Sequence, residues 1–344
     1  MGLIKLMIKK NIVILVVLIL TMAVLGGICL YYYNQGFLQN SENKDEADKE
    51  IVISESSIKA LENADLDIQY KTIEGVDPSF LTLDVYPVKD IKNAPVVVFV
   101  HGGGWTSGDK AKVYQGPESF LDFFQRNKTV FVAINYRLLF SDKAPGAIYA
   151  DQETDIASAV KWVHDNISLY GGDPENISLF GYSAGAQMVS LVGTDEAYLK
   201  AEGLSLNNIK KVIAFDVDAY DIPRAIVEGV DYNYPYAEGE LTKFFSFDLE
   251  TQKAASSINH LFSSKKYPEF LVVYSGAIIS KKGKTTWQEL SKRQAELFVE
   301  AILRVGGKAS LYGDLNMTHT ELGLNFGIMD FGPTIEVQKF LYNK

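Results

Sequence analysis

Apolar positions along this chain gather into short runs of strand length, separated by stretches of helical spacing. Pro95 to Val100, Lys128 to Tyr136, Asn176 to Phe180, Lys211 to Phe215, Phe270 to Ser275 and Ala309 to Gly313 are rich in β-branched and aromatic residues. Pro95 to Val100 shows no polar alternation, as expected of a strand covered on both faces of a parallel sheet. Between these runs, Glu118 to Arg126, Asp151 to Tyr170, Trp287 to Val305 and Thr334 to Tyr342 read as helices, and Ala186 to Val192 reads as the buried start of another. In the second of them Ile156, Val160 and Val163 recur at helical spacing, and Gly171-Gly172-Asp173-Pro174 supplies the stop. Nearer the N-terminus, Ile51 to Asn63 suits a short helix. Asp67 to Ile73 and Leu81 to Val88 suit two antiparallel strands at a sheet edge, with Thr82, Asp84 and Tyr86 on one side and Leu81, Leu83, Val85 and Pro87 on the other. Alternating strands and helices predict an α/β fold built on a mostly parallel, doubly wound sheet. From Asp216 to Phe262 the pattern loosens into tyrosines, phenylalanines and prolines. Tyr220, Tyr232, Tyr234 and Tyr236 there either line a pocket or pack an insertion onto the core.

The first residues follow a different pattern. After Lys5, Lys9 and Lys10, an uncharged run from Ile12 to Tyr33 provides 22 residues, which at about 1.5 Å each span a bilayer core of about 30 Å. Lysines before it and Tyr31-Tyr32-Tyr33 after it predict a membrane helix with its N-terminus in the cytoplasm and the rest of the chain outside. A cleaved signal sequence and a secreted protein are the alternative, because Ala23 and Gly26-Gly27 offer small residues, although the run exceeds the usual apolar region of such a signal. Ile28 before Cys29 argues against lipoprotein processing. The polar, charged segment Gln39 to Glu50 reads as a solvated tether. The expected organisation is therefore an anchor over 1–35, a linker over 36–64 and one domain over 65–344, with an insertion at about 217–265.

Composition narrows the chemistry. The chain has 344 residues, 47% of them hydrophobic, and a net charge of −10. Without the three anchor lysines the remainder carries −13, which excludes a nucleic-acid partner and tight adhesion to anionic headgroups. Cys29 is the only cysteine, so neither an intrachain disulfide nor a cysteine metal site is expected.

Two motifs carry the chemistry. Gly181-Tyr182-Ser183-Ala184-Gly185 lies between a predicted strand and a predicted helix, the context of a nucleophile elbow. There the serine occupies a strained turn, the glycines leave room for close backbone approach, and the Ala184 N–H faces any oxyanion at the helix N-terminus. The strand ending at Val100 runs into His101-Gly102-Gly103-Gly104-Trp105, which reads as the other half of an oxyanion hole. A serine hydroxyl needs a base. Of the four histidines, His101 belongs to the glycine loop, His164 sits mid-helix beside Asp165, and His260 lies in a segment of structural character. His319, just after the last strand, is the predicted base.

On these motifs the chain resembles the α/β-hydrolases of the esterase/lipase type, close to the hormone-sensitive-lipase-like carboxylesterases and the acetyl-xylan and feruloyl esterases, over residues 65 to 344. The resemblance implies an α/β-hydrolase fold with a small cap insertion, a serine mechanism through an acyl-enzyme, and no metal or organic cofactor. It also implies Gly103 and Gly104, rather than Gly102, as oxyanion donors beside Ala184. One feature departs from the family. The loop after the strand ending at Tyr274 has no carboxylate before Glu289, where an acid is expected to orient the histidine. Asp216 or Asp218, at the end of the preceding strand, are candidates for that place, and Asp221 and Asp314 are two more. The expected function is ester hydrolysis outside the cytoplasm, on a small-molecule or polysaccharide-linked ester. The alternatives are a catalytically impaired binding module, motivated by the missing acid, and an amidase or peptidase of the same fold.

Overall fold

A computed structural model describes residues 53–114, 119–231, 235–276, 287–314 and 316–343. The expected membrane helix and the whole of the tether lie outside these residues. Among those described, no helix is long and apolar enough to cross a membrane.

The chain enters through α1 (Glu55–Leu61) and then β1 (Asp65–Gln69) and β2 (Thr82–Tyr86). There follow β3 (Ala94–Val100), α2 (Phe120–Arg126), β4 (Val130–Ile134), α3 (Tyr149–Asn166), β5 (Gly172–Tyr182) and α4 (Ala184–Val192). After α5 (Glu196–Ala201) and β6 (Ile209–Phe215) come three helices, α6 (Ile222–Asp231), α7 (Pro235–Phe245) and α8 (Leu249–Ala254). The chain closes with β7 (Glu269–Ser275), α9 (Trp287–Arg304), β8 (Ala309–Asp314), α10 (His319–Leu324) and α11 (Gly332–Tyr342). The eight strands form one sheet in the order β1-β2-β4-β3-β5-β6-β7-β8. β1 and β2 are antiparallel to their neighbours, and every pairing from β4 to β8 is parallel. The predicted α/β sheet is therefore present, and α6 to α8 lie where the apolar pattern loosened.

Strand alternation divides the core in two. Val96, Val98 and Val100 of β3 join Ile156 and Val160 of α3, Met188 of α4 and Phe298 of α9 on one face. Val97 and Phe99 join Phe123 and Phe124 of α2 and Val337 of α11 on the other. Double coverage explains why the central strands read as unbroken apolar runs. β1 and β2 form the expected antiparallel pair at one sheet edge, with β1 outermost; all five residues of β2 are buried, and Asp84 within it is ion-paired with Lys110 Nζ at 2.6 Å. In addition, α1 occupies the end of the segment expected as linker, where the hydroxyls of Ser54, Ser56 and Ser57 converge on the Asp122 carboxylate of α2.

Candidate active site

The turn from β5 into α4 is made by backbone packing too tight for side chains. Ser183 has φ 56° and ψ −125°, a region that costs an ordinary residue on the order of 1–3 kcal/mol and persists only where its surroundings impose it. They do so here. The Ser183 N–H donates to Phe215 O at 2.9 Å. A Cβ on Gly181 would stand 2.1 Å from Gly185 O, and one on Gly185 would stand 2.2 Å from Val100 O. β3, β5 and α4 thus meet at hydrogen-only distances, and the serine side chain is raised at the C-terminal edge of the sheet, where α/β sheets bind ligands.

The glycine loop after β3 borders the same point. A Cβ on Gly102 would come 2.8 Å from Ser183 Cβ. Gly103 has φ 124° and Gly104 φ 57°, and the Gly103 carbonyl accepts from Thr106 N, Ser107 N and Ser107 Oγ at 3.2, 3.0 and 2.8 Å. His101 holds the loop from inside, as its place in the motif predicted. Its Nδ1 donates to Gly102 O at 2.7 Å, and its ring stacks on Tyr136 at 4.3 Å. Burial pushes the imidazole down to about pKa 4, so it stays neutral. Ala184 is the first residue of α4, where a backbone N–H lacks an intrahelical partner and carries the positive end of the helix dipole.

The candidate base and the carboxylate beside it come from distant segments. Thr318 caps α10, accepting from Glu321 N while Glu321 returns a bond to Thr318 N, and this capping box sets His319 in the first turn. His319 Nε2 lies 3.0 Å from Ser183 Oγ, and its Nδ1 lies 2.9 Å from Asp216 Oδ2. The carboxylate expected in the loop after β7 is thus supplied from the end of β6. Asp216 is fully buried with φ 63°, its N–H bonded to Val273 O at 2.8 Å. Its Oδ1 accepts from Ser275 N at 2.9 Å and Ser291 Oγ at 2.7 Å, so Oδ2 is turned to the imidazole. The other candidates have local tasks or positions: Asp221 accepts from Arg224 N near the start of α6, Asp314 accepts from Asn316 N in a turn, and Asp218 is buried beyond β6. His164 bonds its neighbour Asp165, and His260 bonds Ala254 O, as their structural reading expected.

Sequence reasoning missed several neighbours. A pocket of about 290 Å³ opens beside the serine, walled by Gly102, Phe99, Phe120, Tyr182, Leu324 and Phe326. Its aromatic walls come from β3, α2 and the far end of the chain, which no local pattern links. Trp105 is buried between Phe244 and Phe245 of α7, with Nε1 donating to Gln187 Oε1 at 3.0 Å. Gln187 in turn reaches the buried Glu153 at 3.5 Å and Ala255 O at 3.2 Å. A lone glutamine in the apolar start of α4 was the available signal. Tyr220, one of four tyrosines read as either lining a pocket or packing onto the core, takes the second role and stacks on Phe298 at 4.6 Å. Tyr232 and Tyr234 lie outside the described residues, as does the side chain of Tyr236.

Comparison with known proteins agrees with this fold. A family model described as BD-FAE matches residues 83–226. Gut esterase 1 of Caenorhabditis briggsae is 37% identical over 142 residues, 39% of this chain and 25% of that protein. The probable isoprenylcysteine alpha-carbonyl methylesterase ICMEL2 of Arabidopsis thaliana is 27% identical over 264 residues, 70% of this chain and 60% of that protein. The chain therefore spans less than two thirds of the length of these curated relatives. Among solved structures, esterase B from Lactobacillus rhamnosis superposes with a TM-score of 0.66 at 17% identity, covering 91% of this chain and 93% of that one. The chain shares the α/β-hydrolase fold of that structure.

Proposed function

We propose that this protein is a serine-dependent carboxylic-ester hydrolase. The observation that carries the reading is the line from Ser183 Oγ to His319 Nε2 at 3.0 Å and from His319 Nδ1 to Asp216 Oδ2 at 2.9 Å. In this mechanism Ser183 Oγ attacks the acyl carbonyl carbon while His319 takes its proton. The resulting oxyanion accepts from the N–H groups of Gly103, Gly104 and Ala184, and Asp216 stabilises the imidazolium. Collapse breaks the ester bond, and the leaving alcohol takes the proton from His319. Water then repeats the sequence on the acyl-enzyme, releasing the acid and regenerating Ser183. The esterase names of the relatives support the same reading.

The aromatic pocket beside Tyr182 favours an ester bearing an apolar group, on a small molecule or linked to a polysaccharide. The lysine-flanked apolar run from Ile12 to Tyr33 supports a domain held outside the cytoplasm by a membrane anchor. The binding-module alternative was motivated by the missing carboxylate, and Asp216 removes that motive. An ester and amide pair of one acyl group separates an esterase from an amidase.

The test is fluorophosphonate labelling of the full chain in detergent, with p-nitrophenyl acetate turnover in parallel. The reading expects a label on the Ser183 peptide and turnover that disappears in Ser183→Ala. A folded protein that takes no label and turns over no ester contradicts it.

A further inference from the structure

We infer that Tyr182, the residue inside the elbow motif that precedes the serine, is a positioning residue for His319. The inference rests on the ester-hydrolase reading for its kinetic consequence and on geometry for the rest. The Tyr182 ring lies flat against the His319 imidazole, centroids 5.0 Å apart and planes 13° from parallel. Its hydroxyl donates to the backbone carbonyl of the same residue, His319 O, at 2.9 Å. One side chain thus holds both the ring and the main chain of the base. Burial pushes the phenol well above its ordinary pKa, so it remains a donor throughout the range in which the enzyme would work.

Tyr182 is itself well fixed. It ends β5, paired in register with Phe215 of β6. Gly323 of α10 makes room for the ring: a Cβ there would come 2.7 Å from the Tyr182 hydroxyl. A Cβ on Gly102 would come 3.4 Å from Tyr182 Cδ1. The ring therefore ties the glycine loop, the end of β5 and α10 together, and it faces the apolar pocket as a wall. His319 needs such a platform because its side chain is 29% exposed, while Asp216 is fully buried. The contacts at Nδ1 and Nε2, to Asp216 and Ser183, lie in the plane of the imidazole, and the stacked ring adds a contact on its face. The face of a tyrosine also attracts a cationic ring, which favours the imidazolium formed during the reaction.

Two variants separate positioning from pocket lining. Tyr182→Phe keeps the stack and loses only the hydroxyl. Tyr182→Leu keeps an apolar wall and loses the stack. With p-nitrophenyl hexanoate, Tyr182→Leu is expected to lose about 10- to 100-fold in kcat, the scale of a small misplacement of a reacting group, with KM changed less than about 3-fold. Tyr182→Phe is expected to retain most of kcat. The readout independent of turnover is NMR of ¹³C-histidine-labelled protein, with His319 assigned by loss of its signal in His319→Gln. The His319 ring protons should show the upfield shift of a stacked tyrosine in wild type and Tyr182→Phe, and lose it in Tyr182→Leu. Should wild type prove inert to esters, the ester-hydrolase reading fails and the ring-current result alone decides whether Tyr182 holds the base. A Tyr182→Leu protein with unchanged kcat, or with unchanged His319 resonances, overturns the inference.

Discussion

The two sides of the site are built on opposite principles. On the nucleophile side, Ser183 is fixed by residues adjacent to it in sequence, and by glycines that β3, β5 and α4 press to within 2.1–2.2 Å of hypothetical Cβ positions. On the base side, His319 rides on the short helix α10 and is aimed by groups far away in the chain, Asp216 at 2.9 Å and Tyr182 beneath its ring. The first side is rigid because the backbone leaves no alternative. The second is ordered by a few polar and stacking contacts between separate elements, and it should be the easier one to disturb without unfolding the protein.

If the two sides act as one device, single removals should not add. Ser183→Ala and His319→Gln are each expected to lower kcat on the order of a million-fold, with the double variant no worse, as for other serine nucleophile and base pairs. Kinetics of the two singles and the double on one p-nitrophenyl ester check this, and additive losses would show the sides to be independent.

Gly185→Ala probes the rigid side alone. Its new methyl must displace backbone oxygens of Val100 and His101, 2.2 and 2.8 Å away, so the expected cost is about 3 kcal/mol or more, read as a lowered urea midpoint. Gly239→Ala, where a Cβ meets nothing within 4 Å, is the control and should leave the midpoint unchanged or slightly raised.

A smaller effect comes from two buried groups behind the glycine loop. His101, held down to about pKa 4 by burial, stays neutral in the folded protein while the unfolded chain protonates near 6.5. Its contribution to stability is therefore present above pH 6.5 and is lost as pH falls toward 4. Glu153 has the opposite sign. Burial pushes it up to about 8 from 4.5, so its contribution is full below pH 4.5 and is lost as pH rises toward 8. From pH 6.5 to 8 only the glutamate acts among these two, and it should lower stability by at most about 1.4 kcal/mol per pH unit. Glu153→Gln should flatten that decline in thermal midpoints measured across the interval, and an unchanged slope would place its cause elsewhere.

The same contrast explains what the sequence revealed. The sheet was legible because its central strands are covered on both faces and so read as apolar runs, and Ser183 was legible because its geometry is set by its immediate neighbours. His319 followed from elimination among four histidines. The candidate acid was narrowed to four aspartates and no further, because which of them meets His319 depends on the pairing of β6 with β7, which brings Ser275 N to Asp216 Oδ1, and on Ser291 of α9. Neither relation has a local signature. The pocket was hidden for a similar reason: Phe99, Phe120 and Phe326 are each ordinary core residues in sequence and become a wall only when three distant segments meet.

The central claim is that Asp216 completes the device that the elbow begins. Asp216→Asn keeps the size of the side chain and the bonds to Ser275 and Ser291, but removes the charge facing His319. Its kcat on p-nitrophenyl acetate should be compared with that of Asp314→Asn, a candidate occupied by a turn. The account predicts a loss of about 10⁴-fold for Asp216→Asn and a change below about 3-fold for Asp314→Asn. Equal, small effects in both folded variants would contradict it.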